Sequence, residues 1–156
     1  MIIKIGKKKI SKKNKLSYVF GDDHNVLGRL IACANHLHAT DILRVTSESP
    51  FPYFNKINHI WKSHVSNNYD ASFLDEIIDG CGFEIIKKKA LEISHKYGKK
   101  KHRSELCTLY MRENNDKFNI KRYFPNKIFF RKDIRLTVDN PEDLTLCNII
   151  YNRFYK

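Results

Sequence analysis

Two carboxylates of the sequence stand directly after predicted strands. Glu48 follows DILRVT (41–46), and Asp139 follows IRLTV (134–138). In an α/β fold, ligands bind beyond the carboxyl ends of the strands, and carboxylate oxygens are ligands that Mg²⁺ prefers in proteins. Two such carboxylates at neighbouring strand ends, with cations around them, are what a Mg²⁺-dependent phosphoryl or nucleotidyl transfer needs. A simpler interpretation stays open, in which Asp139 caps a helix and Glu48 is a solvated loop residue.

The sequence around these carboxylates alternates between strand and helix patterns. Apolar residues repeat at intervals of three and four after the acidic turn 21–23, and Pro141, with Asp139 or Asn140 as the cap, opens the last helix. The predicted helices are 26–37, 53–65, 87–97 (ended by Gly98), 104–112 and the last helix, and the predicted strands are 16–20, 41–46, 118–124 and 134–138. The buried face of the last helix is predicted to consist of Leu144, Cys147, Ile150, Tyr151 and Phe154. This alternation indicates an α/β layer fold with a largely parallel sheet.

Length and composition restrict the class of protein. The chain has 156 residues, of which 42% are hydrophobic, so it can bury a core and is expected to form one domain. No apolar run approaches the roughly 18 residues of a membrane span, and the N-terminus lacks the apolar region of a signal peptide. We therefore expect a soluble cytoplasmic protein. The four cysteines are too widely spaced for a zinc site or a disulfide framework and are expected to be reduced and mostly buried.

The net charge of +12 is concentrated in lysine clusters in the first fifteen residues, at 87–89 and at 99–103. Such clusters suit polyphosphates, nucleic acid or an acidic surface, but they also occur on solvated faces of lysine-rich proteins. No nucleic-acid-binding motif accompanies them, so nucleic acid is an unlikely partner.

Five segments resemble motifs of one family in the same order along the chain. GDDHNVLGRLIACA (21–34) is similar to "G-x-x-x-D-V-L-x-R", RVTSESPF (44–51) to "R-V-T-G-D-C-P-L", DGCGFEIIKKKALE (79–92) to "D-G-x-x-x-E-V-x-x-x-x-A-L-E", RSELCTLYMREN (103–114) to "R-x-E-H-V-T-x-Y-I" and RLTVDNPEDLTLCNIIYNRF (135–154) to "R-L-T-V-D-T-P-E-D-L…I-Y". The chain thus resembles the cytidylyltransferase family of the spore coat polysaccharide biosynthesis protein F group and the CMP-sialic acid and CMP-KDO synthetases.

The resemblance implies a Rossmann-like, glycosyltransferase-A type three-layer sandwich. It further implies transfer of CMP from CTP to a sugar acid or a sugar or polyol phosphate in surface polysaccharide biosynthesis, with release of pyrophosphate and Mg²⁺ as cofactor. Glu48 and Asp139 fall on the family's metal-associated positions. Arg44, Glu84 and Arg103 fall on further motif positions on the acceptor side, where they are expected to act in catalysis.

The sequence also departs from the family's motifs. The loop after the second strand has Ser47, Glu48 and Ser49 where the family has Gly, Asp and Cys, and Leu106 stands where a His is expected beside Glu105. A glutamate can still ligate Mg²⁺, although its side chain is one methylene longer.

The first β-α-β unit of the family, which carries a basic phosphate-binding loop, has no clear counterpart here. We expect residues 1–15 to be a basic arm or a degenerate loop in which Lys7, Lys8 and Lys12 bind phosphates, and residues 16–156 to form the cytidylyltransferase-like domain. A sheet that lacks this unit exposes backbone edges and apolar surface, which predicts a homodimer or a complex with a separately encoded N-terminal half. The truncation also allows a different function, that of a non-catalytic remnant acting as a binding or assembly subunit.

Overall fold

The computed structural model describes residues 10–155. Lys7, Lys8 and the apolar stub Ile2–Ile5 lie outside the described residues. The chain divides into two compact units. Unit 1 consists of the chain up to Ile42 together with Ile86–Asn119, and unit 2 consists of Leu43–Ile85 together with the chain from Ile120 onward.

The described elements include five α-helices and four strands. The helices are α1 (Val26–His36), α2 (Ile57–Ser66), α3 (Lys88–Tyr97), α4 (Leu109–Glu113) and α5 (Pro141–Phe154), and the strands are β1 (Asp41–Arg44), β2 (Ala71–Leu74), β3 (Glu84–Lys87) and β4 (Ile120–Tyr123). Short 3₁₀ helices lie at Phe54–Lys56, Lys100–Arg103, Asn115–Lys117 and Lys127–Phe129. The four strands form one sheet in the order β1-β3-β2-β4. The β2–β4 pair is parallel, with Ala71 opposite Ile120 and Leu74 opposite Tyr123.

Unit 1 is built on the packing of α1 against α3. Asn25 caps α1 because its side-chain oxygen accepts the N–H of Gly28 at 2.9 Å. Asn25, at the start of α1, contacts His95 near the end of α3 at 3.3 Å, whereas Lys88, at the start of α3, donates to Asn35 near the end of α1 at 3.2 Å. The two helices are therefore antiparallel. Their buried faces contribute Leu27, Ala34, Ala90 and Leu91.

Unit 2 has its core between α2 and the β2 region, where Ile60, Leu74, Phe83 and Ile85 form a buried cluster. The same region contains one fully buried polar pair, because His64 on α2 and Ser72 on β2 are joined by a hydrogen bond of 2.9 Å. This bond satisfies two polar groups that would otherwise lose their hydration on folding.

Four predicted helices are confirmed. The predicted helix 53–65 corresponds to the 3₁₀ helix Phe54–Lys56 followed by α2. The structure has α1 where apolar periodicity predicts 26–37, and α3 ends at Gly98, which is its C-cap. The last helix begins at Pro141 with Asn140 as its N-cap, and Asp143 completes a capping box.

Other local predictions are wrong. Residues 16–20 contain only one bridge position, and Leu16 and Phe20 are half exposed, so an apolar β-prone run does not form a buried strand here. The predicted strand 134–138 is reduced to a single bridge between Asp79 and Arg135. The predicted helix 104–112 shortens to α4, and β3 is not among the predicted strands. Whether an apolar run becomes a strand depends on its pairing partners, which a local pattern does not contain.

The predicted buried face of α5 is also wrong. Only Cys147 of this face is buried, whereas Leu144, Tyr151 and Phe154 are 50%, 54% and 72% exposed. Periodicity identifies residues that share a helix face, but burial requires something that covers the face.

No helix among residues 10–155 is long and apolar enough to cross a membrane. Cys81, Cys107 and Cys147 are buried, as expected, and Cys33 is half-buried.

Candidate functional site

Unit 2 brings the backbone of the two predicted metal-binding positions together. The N–H of Val138 donates to the carbonyl oxygen of Glu48 at 2.8 Å. Asp139 follows Val138 directly, so the loop after β1 and the start of α5 lie side by side. The backbones at Glu48 and Asp139 therefore lie close together, although the segment before Asp139 has only a single bridge, at Arg135.

A glycine allows the segment before α5 to approach. Gly80 has a φ of +87°, and a Cβ placed on it would lie 2.6 Å from the carbonyl carbon of Leu136. The N–H of Leu136 donates to the carbonyl of Asp79 at 2.8 Å. Only glycine combines this left-handed conformation with such a close backbone contact.

Arg135 lies among three carboxylates at the start of α5. Its guanidinium forms an ion pair with Asp139, and it lies 3.4 Å from Asp143 and 3.7 Å from Asp79. The backbone N–H groups of Asp139 and Asn140 both donate to Asp143 at 3.0 Å. These two bonds, aided by the charge of Arg135, lower the pKa of Asp143. Sequence reasoning missed Arg135, although it opens the RLTVD segment.

The donor set around Glu48 and Asp139 is compatible with Mg²⁺. Both side chains end in carboxylates, and Mg²⁺ is commonly held by one or two carboxylates together with substrate phosphates and water. Glu48 is half-buried and contacts the hydroxyl of Ser47 at 3.4 Å. The ion pair with Arg135 engages one oxygen of Asp139. Among the described residues, no group of three or more His, Cys, Asp or Glu side chains could form a protein-only metal cage.

Arg44 and Glu84, which the motifs place on the acceptor side, are partners of each other. Arg44 ends β1 and Glu84 begins the neighbouring strand β3, and the guanidinium donates to the carboxylate at 2.8 Å. The two side chains are 18% and 13% exposed, so this ion pair is largely shielded from solvent. The pair joins the two strands close to the loop that carries Glu48.

Unit 1 contains Arg103 and an open cavity whose lining includes the next three residues but not Arg103 itself. The cavity has a volume of about 330 Å³ and is lined by Asp23, His24, Val26, Ser104, Glu105 and Leu106. Arg103 donates to the carbonyl of His95 at 3.3 Å, and its buried Nε atom has no hydrogen-bond partner in the described part of the chain. Sequence analysis treated 21–23 as a turn only and did not predict this cavity.

A buried histidine fixes the segment that leads into this cavity. The backbone N–H of Lys99 donates to Nδ1 of His102 at 2.7 Å, so Nε2 carries the proton and donates to Glu113 at 2.8 Å. Hydrogen bonds from Lys101 and His102 lower the pKa of Glu113. The 3₁₀ helix Lys100–Arg103 is thereby anchored to α4.

The remaining candidate residues are placed only in part. Lys12 lies in a helical turn at residues 10–13 and is exposed, whereas Lys7 and Lys8 lie outside the described residues.

Burial, and then the nearby Asp79 carboxylate, raises the pKa of the Cys81 thiol. A raised pKa disfavours the thiolate, so Cys81 is a poor candidate for a nucleophile.

Comparison with known sequences finds a partial relative. No protein-family model matches the chain. An uncharacterized protein of Methanocaldococcus jannaschii is 29% identical over 126 residues, which are 81% of this chain and 52% of that protein. The chain thus spans about half the length of the curated relative that it matches.

Solved structures resemble the chain over almost its whole length. A cytidylyltransferase from Leptospira borgpetersenii superposes with a TM-score of 0.86 at 22% identity, covering 97% of this chain and 65% of that one. A CMP:2-keto-3-deoxy-manno-octonic acid synthetase complexed with CTP gives 0.65 at 8% identity, covering 97% of this chain and 79% of that one. The molybdopterin-guanine dinucleotide biosynthesis protein A of Archaeoglobus fulgidus gives 0.62 at 17% identity, covering 98% and 78%. The chain therefore has the α/β fold of the cytidylyltransferases and related nucleotidyltransferases.

Proposed function

We propose that the chain is a cytidylyltransferase-like protein, which transfers CMP from CTP to a sugar acid or a sugar or polyol phosphate and releases pyrophosphate. The observation that carries this proposal is the bond from Val138 to Glu48, which joins the two predicted carboxylate segments in a fold shared with a cytidylyltransferase. We place the activity in the cytoplasm and in the biosynthesis of surface polysaccharides, following the family that the motifs resemble.

Within this proposal, Glu48 and Asp139 would hold a Mg²⁺ ion, which would supply positive charge against the phosphates of CTP and pyrophosphate. Arg135 holds the Asp139 carboxylate in place beside the start of α5. Lys12, together with Lys7 and Lys8, binds phosphates through charge.

The Arg44–Glu84 pair and Arg103 are the remaining residues of the proposed site. The Arg44–Glu84 pair orients the loop after β1, and Arg103 binds an anionic group of the acceptor next to the cavity of unit 1. The cavity walls offer two carboxylates, a hydroxyl and an imidazole, which suit the hydroxyl groups of a sugar.

Pyrophosphate release tests the proposal. The full chain is incubated with CTP, Mg²⁺ and a panel of sugar acids and polyol phosphates. We expect turnover with CTP that falls about tenfold or more in Glu48→Gln and Asp139→Asn. Glu76→Gln, which changes an exposed carboxylate of the same unit, serves as the matched control.

The second candidate function is that of a non-catalytic binding or assembly subunit. The altered loop at Ser47–Ser49 favours it. Absence of turnover, together with no rise in melting temperature on addition of CTP and Mg²⁺, would support this second function over the first. Under either function we propose that the protein forms a homodimer.

A further inference from the structure

The last helix carries an exposed stripe that is complementary to itself. Glu142, Leu146, Ile149 and Arg153 are spaced four, three and four residues apart, so they lie on one face of α5. Leu146 and Ile149 are 45% and 60% exposed, and both charged residues are exposed. The inward side of the helix is a different one, marked by buried Cys147.

The order of residues along this stripe is symmetric. The midpoint of α5 falls between Cys147 and Asn148, and the pairs Leu146/Ile149 and Glu142/Arg153 share that midpoint. If two copies of α5 lie antiparallel about a two-fold axis through this point, Leu146 of each copy faces Ile149 of the other. Glu142 of each copy then faces Arg153 of the other, which gives two ion pairs. An isologous interface requires this kind of self-complementarity.

The electrostatics of the helix favour the same arrangement. Its first turn is acidic and its last turn carries Arg153, and antiparallel neighbours place opposite ends of the two helix dipoles together. Neither Glu142 nor Arg153 forms an ion pair with another residue of the part of the chain that the structure describes. Their charges are thus available to a second molecule.

We propose that this stripe is a dimerisation surface and that its occupant is α5 of a second copy of the chain. A helix of this length is about 21 Å long, and one helix pair buries less than the roughly 800 Å² per partner of a stable complex. The dimer should therefore be weak, with a dissociation constant on the order of 10–100 μM. The proposal does not depend on catalytic activity.

Sedimentation equilibrium from 1 to 200 μM, at about 150 mM salt, tests the proposal. We expect a monomer–dimer equilibrium that Leu146→Asp weakens at least about tenfold, because a charge would be buried between the helices. Asn148→Asp, on the same helix but away from the stripe, is the matched control and should leave the equilibrium unchanged. Circular dichroism of each variant verifies that the fold is retained.

Charge exchange provides the decisive measurement. Glu142→Arg places two arginines at each contact and Arg153→Glu places two glutamates there, so each variant alone should be monomeric. An equimolar mixture of the two should form a heterodimer, which misfolding of either variant would prevent. A wild-type monomer at 200 μM would overturn the proposal. So would a dimer that is indifferent to both exchanges, or an association that occurs only with a different polypeptide.

Discussion

Gly80 is the position where one added methyl group should disturb the candidate site most. Its φ of +87° is left-handed, a conformation that costs about 1–2 kcal/mol for a residue with a Cβ. A Cβ there would also lie 2.6–2.8 Å from the carbonyl carbon and oxygen of Leu136 and the nitrogen of Thr137, so backbone atoms would have to move. We expect Gly80→Ala to lower the free energy of unfolding by about 2–4 kcal/mol.

Gly82 supplies a matched control two residues away. A Cβ on Gly82 would meet the carbonyl oxygen of Leu74 at 3.4 Å and the side chain of Ile77 at 3.6 Å, which are ordinary contacts. Because alanine also reduces the entropy of the unfolded chain, Gly82→Ala should change the stability by no more than about 1 kcal/mol.

Urea unfolding and thermal melting of both variants measure the difference. For a chain of this length, the loss predicted for Gly80→Ala corresponds to a fall in Tm of roughly 4–16 °C. Equal stabilities of the two variants would refute the reasoning, since it rests wholly on the conformation and the backbone contact of Gly80. In the proposed enzyme, Gly80→Ala should also reduce turnover, because the displaced segment leads to Asp139.

Three further predictions concern stability. Glu84→Gln and Arg44→Met, each and combined, should reveal a coupling energy of about 1–2 kcal/mol in a double-mutant cycle of urea unfolding, because the pair is largely shielded; independent effects of the two substitutions would contradict this. Ser72→Ala should cost about 1–3 kcal/mol by removing the hydrogen bond between buried Ser72 and buried His64, and a fully stable variant would show that the bond is dispensable. Asp143→Ala should be less stable than the wild type at neutral pH. In the wild type the pKa of Asp143 is lowered, so the Asp143 carboxylate stabilises the fold at pH values above the ordinary Asp pKa. This contribution is lost as the pH falls through the lowered pKa. The gap between the two proteins in pH-dependent melting should therefore close in acid, and a constant gap would contradict the assignment.

Some elements were predictable because their signals are local. The start of α5 is encoded by Asn140, Pro141 and Asp143, which satisfy the backbone N–H groups of the first turn without help from the rest of the chain. The end of α3 at Gly98 and the periodicity of α1 are similarly local. Strands depend on a pairing partner as well: local patterns predicted β1 and β4, but they missed β3 and wrongly predicted a strand at 16–20.

The same distinction between local signals and contacts with distant segments applies to the candidate site. The sequence by itself determined which residue types are available, placing Glu48 after one strand and Asp139 just before the last helix. Only the tertiary structure decided that the Val138–Glu48 bond joins them, that Arg135 engages Asp139, and that the apolar face of α5 is exposed. The reason is physical: capping and periodicity act within a few residues of the chain, whereas contacts and burial depend on which distant segments the fold brings together.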